Sequence, residues 1–218
     1  MRLDPAELSA SGRYRLLISL VVPRPIAFVS TKSPEGRLNL APFSFFMGVA
    51  SDPALLAISV TTRRGQPKDT ARNILETGEF VVNAATDALA EAVNLASGDW
   101  PPETDEFALT GLTPAPSERV APPRVAEALF SLECRVHQSI PVGRPPHDTR
   151  LILGEIVFFH LRDDIVGAAS DGSPIARPEI LRPIARLGGN LYTHLGEIFA
   201  LDRPKVGPGP GDRGSGGT

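Results

Sequence analysis

The sequence predicts a mainly β fold: an antiparallel barrel with a few helices, in one domain over residues 1–202, followed by a tail over 203–218. Three observations lead there. At least six short apolar runs, alternating with period two or apolar throughout, are each bounded by turn residues. Prolines number 22 in 218 residues, about twice the usual share, and the excess falls between those runs. Only two or three stretches carry helical spacing, which argues against a bundle.

Residues 1–20 mix charged and apolar positions, and Tyr14, Leu16, Leu17 and Leu20 suit one short helical turn before the first strand. Residues 26–29 read as that strand. Lys32-Ser33-Pro34-Glu35-Gly36 breaks it as a glycine-containing turn, and residues 37–41 return as the second arm of a hairpin. Ala41-Pro42-Phe43-Ser44-Phe45-Phe46 is too aromatic for an ordinary solvated loop, yet is broken by a proline that a central strand would not accept. Along 21–52, small residues, hydroxyls, an amide and aromatics alternate as they would in the wall around a flat ligand. After Asp52-Pro53, residues 55–62 place Leu56, Ile58 and Val60 on one face and Ala57, Ser59 and Thr61 on a small, hydroxylic second face.

The stretch 63–70 leads into a helix from Ala71 that stops at Gly78, with Asp69 or Thr70 as its cap. Arg63, Arg64 and Lys68 stand beside the free N–H groups of that helix start, which are the ingredients of a phosphate site. For Lys68-Asp69-Thr70 taken alone, a capped helix with solvated basic residues is the plainer reading. A strand follows over 79–84, then an amphipathic helix over 87–97 with Leu89, Val93 and Ala96 on one face. Two proline-rich stretches, 100–102 and 113–117, bracket a loop holding Phe107-Ala108-Leu109. Trp100 is a packing anchor there, or the cover of a ligand or subunit contact.

Residues 130–138 alternate cleanly, with Phe130, Leu132, Cys134 and Val136 opposite Ser131, Glu133, Arg135 and His137. A strand therefore sends Cys134 and His137 to opposite faces, so they cannot form a nucleophile pair; Cys134 is inert core. His137 either sits over a ligand or makes a structural hydrogen bond. After a loop over 141–146, residues 150–161 are apolar on both faces apart from Glu155 and His160. Such a strand needs cover on its outer face, for which a second subunit is favoured over a helix or loop; an ion pair at the barrel rim is the favoured role of Glu155. Gly188-Gly189 permits a turn or a close backbone approach.

Composition removes several function classes. The net charge is -3 with no basic block, which gives nucleic acid or an anionic membrane no electrostatic footprint. One cysteine excludes an internal disulfide framework and any Cys-x-x-Cys centre, and fits a reducing cytoplasm. The first residues lack the layout of a signal peptide, and no apolar run approaches the roughly 20 residues of a membrane span. A soluble cytoplasmic protein is expected. The four histidines, 137, 147, 160 and 194, lack ligand spacing, so no metal is expected.

Several ordered motifs lie between residues 14 and 201: Pro23-Arg24-Pro25-Ile26-Ala27-Phe28-Val29-Ser30-Thr31, Asn39-Leu40-Ala41-Pro42-Phe43-Ser44-Phe45-Phe46, Lys68-Asp69-Thr70 with Asn73-Ile74, Phe80-Val81-Val82-Asn83 and Glu106-Phe107-Ala108-Leu109-Thr110-Gly111-Leu112. Together they closely resemble the flavin reductase-like FMN-binding proteins, the group of flavoredoxin and the small reductase components of two-component monooxygenases. Arg186-Leu187-Gly188-Gly189-Asn190-Leu191-Tyr192 resembles the family's C-terminal motif near the cofactor. The resemblance implies an antiparallel Greek-key FMN-binding split barrel acting as a homodimer, with the cofactor near the subunit interface.

The resemblance also implies the site. Arg63 and Lys68, with Asp69 and the N–H groups near Thr70, would hold the FMN phosphate, with Ser59 and Thr61 close by. Ser30, Thr31, Asn39 and Ser44, with backbone around Ala41 and Phe45, would meet the ribityl chain and ring edge, and Gly188 and Tyr192 would lie near the cofactor. The chemistry would be carried by the flavin, which accepts a hydride at N5 from NADH or NADPH, so no catalytic side chain is required; His137 is the one candidate. Reduced flavin would pass to a separate monooxygenase. Two other readings are an FMN electron carrier fed by a protein donor and a non-catalytic FMN-binding protein.

Overall fold

A computed structural model of the chain describes residues 1–62, 65–145 and 148–204. In chain order, the elements are α1 (Ala10–Leu20), β1 (Arg24–Pro25), β2 (Ala27–Lys32), β3 (Leu38–Phe43), β4 (Phe46–Ser51) and β5 (Ala54–Thr61). Then come α2 (Asp69–Thr77), β6 (Glu79–Ala84), α3 (Ala90–Ala96), α4 (Glu106–Thr110), β7 (Pro114–Ala115) and β8 (Arg124–Val125). The long strands β9 (Phe130–Val142) and β10 (Thr149–Leu161) are followed by β11 (Val166–Ala168), β12 (Pro174–Ala176), α5 (Pro178–Leu181), β13 (Ile184–Arg186) and β14 (Tyr192–His194).

Seven strands form one antiparallel sheet in the order β3-β2-β6-β9-β10-β5-β4. Its two edges, β3 and β4, are consecutive in the chain and separated by Ser44 and Phe45 alone. The edges therefore lie side by side and the sheet must curl. Chain connectivity, with no ladder between β3 and β4 among the described residues, closes the barrel. Edge position also explains Pro42, which lies inside β3 opposite Phe28 of β2; an edge strand tolerates the missing N–H that a central strand would not.

Curling gives the sheet two buried faces. Inside it, Val29, Ile58, Phe80, Val82 and Ile152 meet Ala71 and Ile74 of α2, which plugs the barrel. Outside, Phe28 and Leu40 pack under Leu89, Val93 and Ala96, with Phe107 of α4. Every residue of β2 but Lys32 is buried, because its alternate side chains serve the two cores in turn. Gly154 of β10 is required by the inner one: a Cβ there would stand 2.4 Å from the Phe80 ring.

The outer face also carries buried polar groups. Asn83 accepts from Val125 N at 2.9 Å and Ser131 Oγ at 2.8 Å, and donates to Phe28 O and Ser30 Oγ, both at 3.1 Å. Ser30 Oγ donates to Pro123 O at 2.5 Å. Glu133 accepts from the main-chain N–H groups of Glu118 at 2.7 Å and Arg119 at 2.6 Å, and bonds His160 Nε2 at 2.5 Å. This network, together with Val125 buried in the outer core, seats the segment between β7 and β9.

Several elements differ from expectation. The opening turn is an 11-residue helix, started by Ser9, whose side chain accepts from Gly12 N; this cap was the available signal. Phe107, Ala108 and Leu109 form α4 instead of a loop, capped by Asp105 and closed by Gly111 at φ 70°. The stretch expected as helix over 87–97 is a 3-10 turn, Asp87–Leu89, running into α3. Strand β9 continues through Val142, into the expected loop. Glu155 makes no ion pair among the described residues; Arg135, its cross-strand neighbour, reaches Glu79 at 3.7 Å instead. The tail beyond residue 204, with Pro146 and His147, lies outside the described residues, and no described helix is long and apolar enough to cross a membrane.

Burial opposes ionisation of Glu133, but its bonds from Glu118, His160 and Arg119 outweigh that and hold its carboxyl below the ordinary value. A lowered folded pKa stabilises the fold above the ordinary glutamate pKa, and this contribution is lost as pH falls through the folded value. Glu133→Ala should cost about 3 kcal/mol at neutral pH, because two main-chain donors and the His160 ring lose the buried carboxylate that joins them. Urea unfolding at about pH 7 and about pH 4 should show the gap between wild type and variant narrowing in acid.

Candidate functional site

The site is built where α2 meets the β2–β3 hairpin. Thr31 and Asn39 are cross-strand partners, and each engages α2. Asn39 Nδ2 donates to Thr70 Oγ1 at 2.9 Å, and Asn73 Nδ2 donates to Thr31 Oγ1 at 3.0 Å. Thr70 and Asn73 are three residues apart, hence on one helix face, and all four side chains are buried. The helix start is therefore fixed against the sheet.

That start carries no side-chain cap among the described residues. Lys68 is its N-cap residue, and neither Asp69 nor Thr70 fills the capping role expected of it. Asp69 stands in the first turn, where a carboxylate suits the helix dipole, and it pairs with Arg72. The opening N–H groups of α2 thus lack a capping side chain beside a cleft of about 420 Å³, which Asn39, Ala41, Phe43, Lys68, Thr70 and Arg72 line. The Lys68 ammonium sits 5.9 Å from the centre of the Phe43 ring. Uncapped helix N–H groups with a lysine and an arginine form a donor set for a phosphate.

Five of the cofactor-site residues implied by the resemblance share this cleft, Asn39, Ala41, Lys68, Asp69 and Thr70, and Trp100 lines it too. The others are dispersed. Ser30 is fully buried in the Asn83 network on the outer face, and Thr31 is fully buried beneath α2; both side chains hold the fold. Ser44 and Phe45 make the link that closes the barrel, where Phe45 O accepts from Ser59 N at 2.9 Å. Ser59 Oγ lies 3.1 Å from Thr149 Oγ1, and Thr61, exposed, pairs with Thr149 in register. Arg63 lies outside the described residues.

The C-terminal pair forms a third group. A Cβ on Gly188 would lie 3.2 Å from Ser19 Cβ, and Gly189 adopts φ 61°, so the two glycines serve a close approach and a turn respectively. Tyr192 stacks under the Arg186 guanidinium, 4.5 Å from ring centre to Cζ, and its hydroxyl donates to Asn94 at 3.2 Å. His137 is exposed on β9. Cys134 is fully buried, and that burial pushes its thiol pKa up, as expected of inert core.

Three contributors were not singled out. Arg24 is buried, yet its partners are all neutral oxygens: Ile18 O, Val21 O at 2.8 Å, Leu187 O at 2.8 Å and Ser44 Oγ at 3.4 Å. Burial lowers its pKa, and the C-terminal carbonyls of α1 supply the negative end that a carboxylate would otherwise provide. Its sequence signal was a lone arginine between two prolines. Glu106 is also buried and lines the cleft; it accepts from Leu40 N at 3.1 Å, while burial raises its pKa. Arg72 is a cleft residue signalled only by helical spacing from Lys68.

A family model for the flavin reductase like domain matches residues 19–173. The uncharacterized protein BH2278 of Halalkalibacterium halodurans is 46% identical over 211 residues, covering 94% of this chain and 98% of that protein. Nitrilotriacetate monooxygenase component B from Bacillus cereus matches with a TM-score of 0.86 at 37% identity, covering 92% of this chain and 98% of that one. A split-barrel structure from Shewanella frigidimarina matches in fold at 21% identity, with a TM-score of 0.79 over 94% of this chain and 100% of that one. The curled seven-stranded sheet is a split barrel of that kind.

Asn39→Ala removes the donor that faces Thr70 and should cost about 1–2 kcal/mol of stability, read as a lowered urea midpoint. In the same variant the helix start loosens, so an anion that uses its N–H groups should bind more weakly than the loss of one side chain would suggest.

Proposed function

The chain belongs to the flavin reductase-like family, and from that membership we propose that it binds FMN and reduces it with NADH or NADPH. The observation that carries this reading is the uncapped start of α2 beside Lys68 and Arg72, a donor set suited to the FMN phosphate. Asn39 and the segment from Ala41 to Phe45 lead from that phosphate site along the closing edge of the barrel, where the ribityl chain and ring edge would run.

When bound, the flavin supplies a ring that accepts a hydride from the nicotinamide; the protein need contribute no nucleophile. The work left to this chain is to hold the phosphate, orient the ring edge and keep one ring face open. Cys134 in the core and His137 on an exposed position are consistent with that division. We further propose that reduced flavin passes to a separate monooxygenase, a role supported by the likeness to a monooxygenase component B. A homodimer is supported by the exposed apolar side chains of edge strand β4, Met47 and Val49, and by Phe159 and Leu161 of β10. A cytoplasmic setting suits the unpaired Cys134.

The test is anaerobic. Purified protein is loaded with FMN and then mixed with NADH or NADPH. Bleaching of the flavin absorbance by either nucleotide names the donor; bound flavin that neither nucleotide bleaches would replace the reductase reading with that of an electron carrier. Lys68→Ala should raise the FMN Kd about tenfold through the lost charge-assisted contact, and unchanged affinity would remove Lys68 from the site. Cys134→Ser should leave the rate of bleaching within about twofold of wild type once the protein is folded and loaded, as its burial away from the cleft requires.

A further inference from the structure

The cleft at the start of α2 is lined also by an indole, which the sequence reads as a packing anchor or as the cover of a ligand or subunit contact. Trp100 is the only tryptophan of the chain; it is half-buried and lines the cleft shared with Lys68 and Thr70. Its ring is held in one orientation. The indole Nε1 donates to Leu95 O, in the last turn of α3, at 2.9 Å. Gly98 passes so close that a Cβ there would lie 2.7 Å from Nε1 and 2.9 Å from Cε2. One face of the five-membered ring is thus packed on Gly98, which must be glycine for the ring to lie there. A flat, fixed, half-exposed aromatic at the edge of a nucleotide cleft is a stacking surface.

Resting on the reading that α2 holds a flavin phosphate, we propose that Trp100 is the platform for the adenine of a flavin adenine dinucleotide. In that ligand the adenosine is joined through a pyrophosphate directly to the phosphate that FMN presents, so its base lies just beyond the phosphate site. FMN ends there and leaves the indole bare. The adenine of a nicotinamide dinucleotide belongs to a molecule whose reactive ring lies over the flavin ring and is not tethered to this phosphate. Among the described residues the cleft walls carry both signs, with Asp69 and Glu106 beside Lys68 and Arg72, so a second phosphate meets no uniformly cationic surface. Stacking is indifferent to that balance, and it supplies the preference.

Binding of FAD and of FMN is measured by calorimetry on the wild-type protein, on Trp100→Ala and on Trp100→Phe. A base stacked on an aromatic side chain should make FAD bind about tenfold tighter than FMN. Trp100→Ala should abolish this difference by weakening FAD selectively. Trp100→Phe, which keeps a ring, should retain part of the preference. Equal wild-type affinities, or equal losses for both flavins in the two variants, would overturn the platform. Quenching of the Trp100 fluorescence by NAD on FMN-loaded protein, to the extent given by FAD on the flavin-free protein, would assign the indole to the other dinucleotide and also overturn it. Failure of the wild type to bind either flavin would overturn the phosphate reading itself, an outcome distinct from flavin binding without a Trp100-dependent preference.

Discussion

Two buried amide-to-hydroxyl hydrogen bonds hold this structure to its purpose: Asn39 to Thr70 and Asn73 to Thr31. An apolar contact would keep α2 inside the barrel, as Ala71 and Ile74 already do, but apolar packing is not directional and tolerates small shifts along and about the helix axis. Hydrogen bonds between side chains on one helix face and a cross-strand pair tolerate far less, because an unmet buried polar group is costly. The start of α2 is therefore placed by polar registration, and the cleft inherits that placement.

A second registration acts at the other end of the hairpin. Arg24 gathers the C-terminus of α1, the Ser44 link and the backbone at Leu187 around one guanidinium. These segments are distant in sequence, and the Ser44 link also closes the barrel. Its partners are carbonyls and a hydroxyl, so the cation is neutralised by dipoles. Breaking the arrangement would loosen the C-terminal strands together with the closing edge, whose β3 residues Ala41 and Phe43 line the cleft.

The period-two runs gave the sequence reading its main strands, since burial on a curled sheet follows alternation directly; the faces assigned to β5, with Leu56, Ile58 and Val60 in the core, are those observed. The short helix α4 was hidden between prolines, and its cap, Asp105, was the signal passed over. At the site, residue chemistry was legible and residue direction was not. A hydroxyl or amide beside a cleft reads the same in sequence whether it faces a ligand or a neighbouring helix. Thr31 and Ser30 stand within the family-like motif yet spend their hydrogen bonds on Asn73 and on Pro123. Lys68 stands at the helix start where the sequence places it, but the cap expected of Asp69 or Thr70 is not found, and that gap leaves the helix start open to an anion. Glu133 escaped notice because alternation placed it on a polar face; that face is buried beneath a loop it must itself anchor.

The charge pattern of the cleft bears on how such a protein would use a flavin. Among the described residues, Lys68 lines the cleft with Arg72, which is already paired with Asp69. Glu106 lies nearby, and burial raises its pKa, so as pH falls toward that raised value its negative charge is withdrawn. Among the described residues the cleft is thus mixed in charge, and directed N–H donors and ring contacts discriminate there by geometry more than by charge. A uniformly cationic cleft would hold any phosphate and release it slowly. On the proposed function, the mixed cleft suits a flavin that must be recognised, reduced and then released to a second protein.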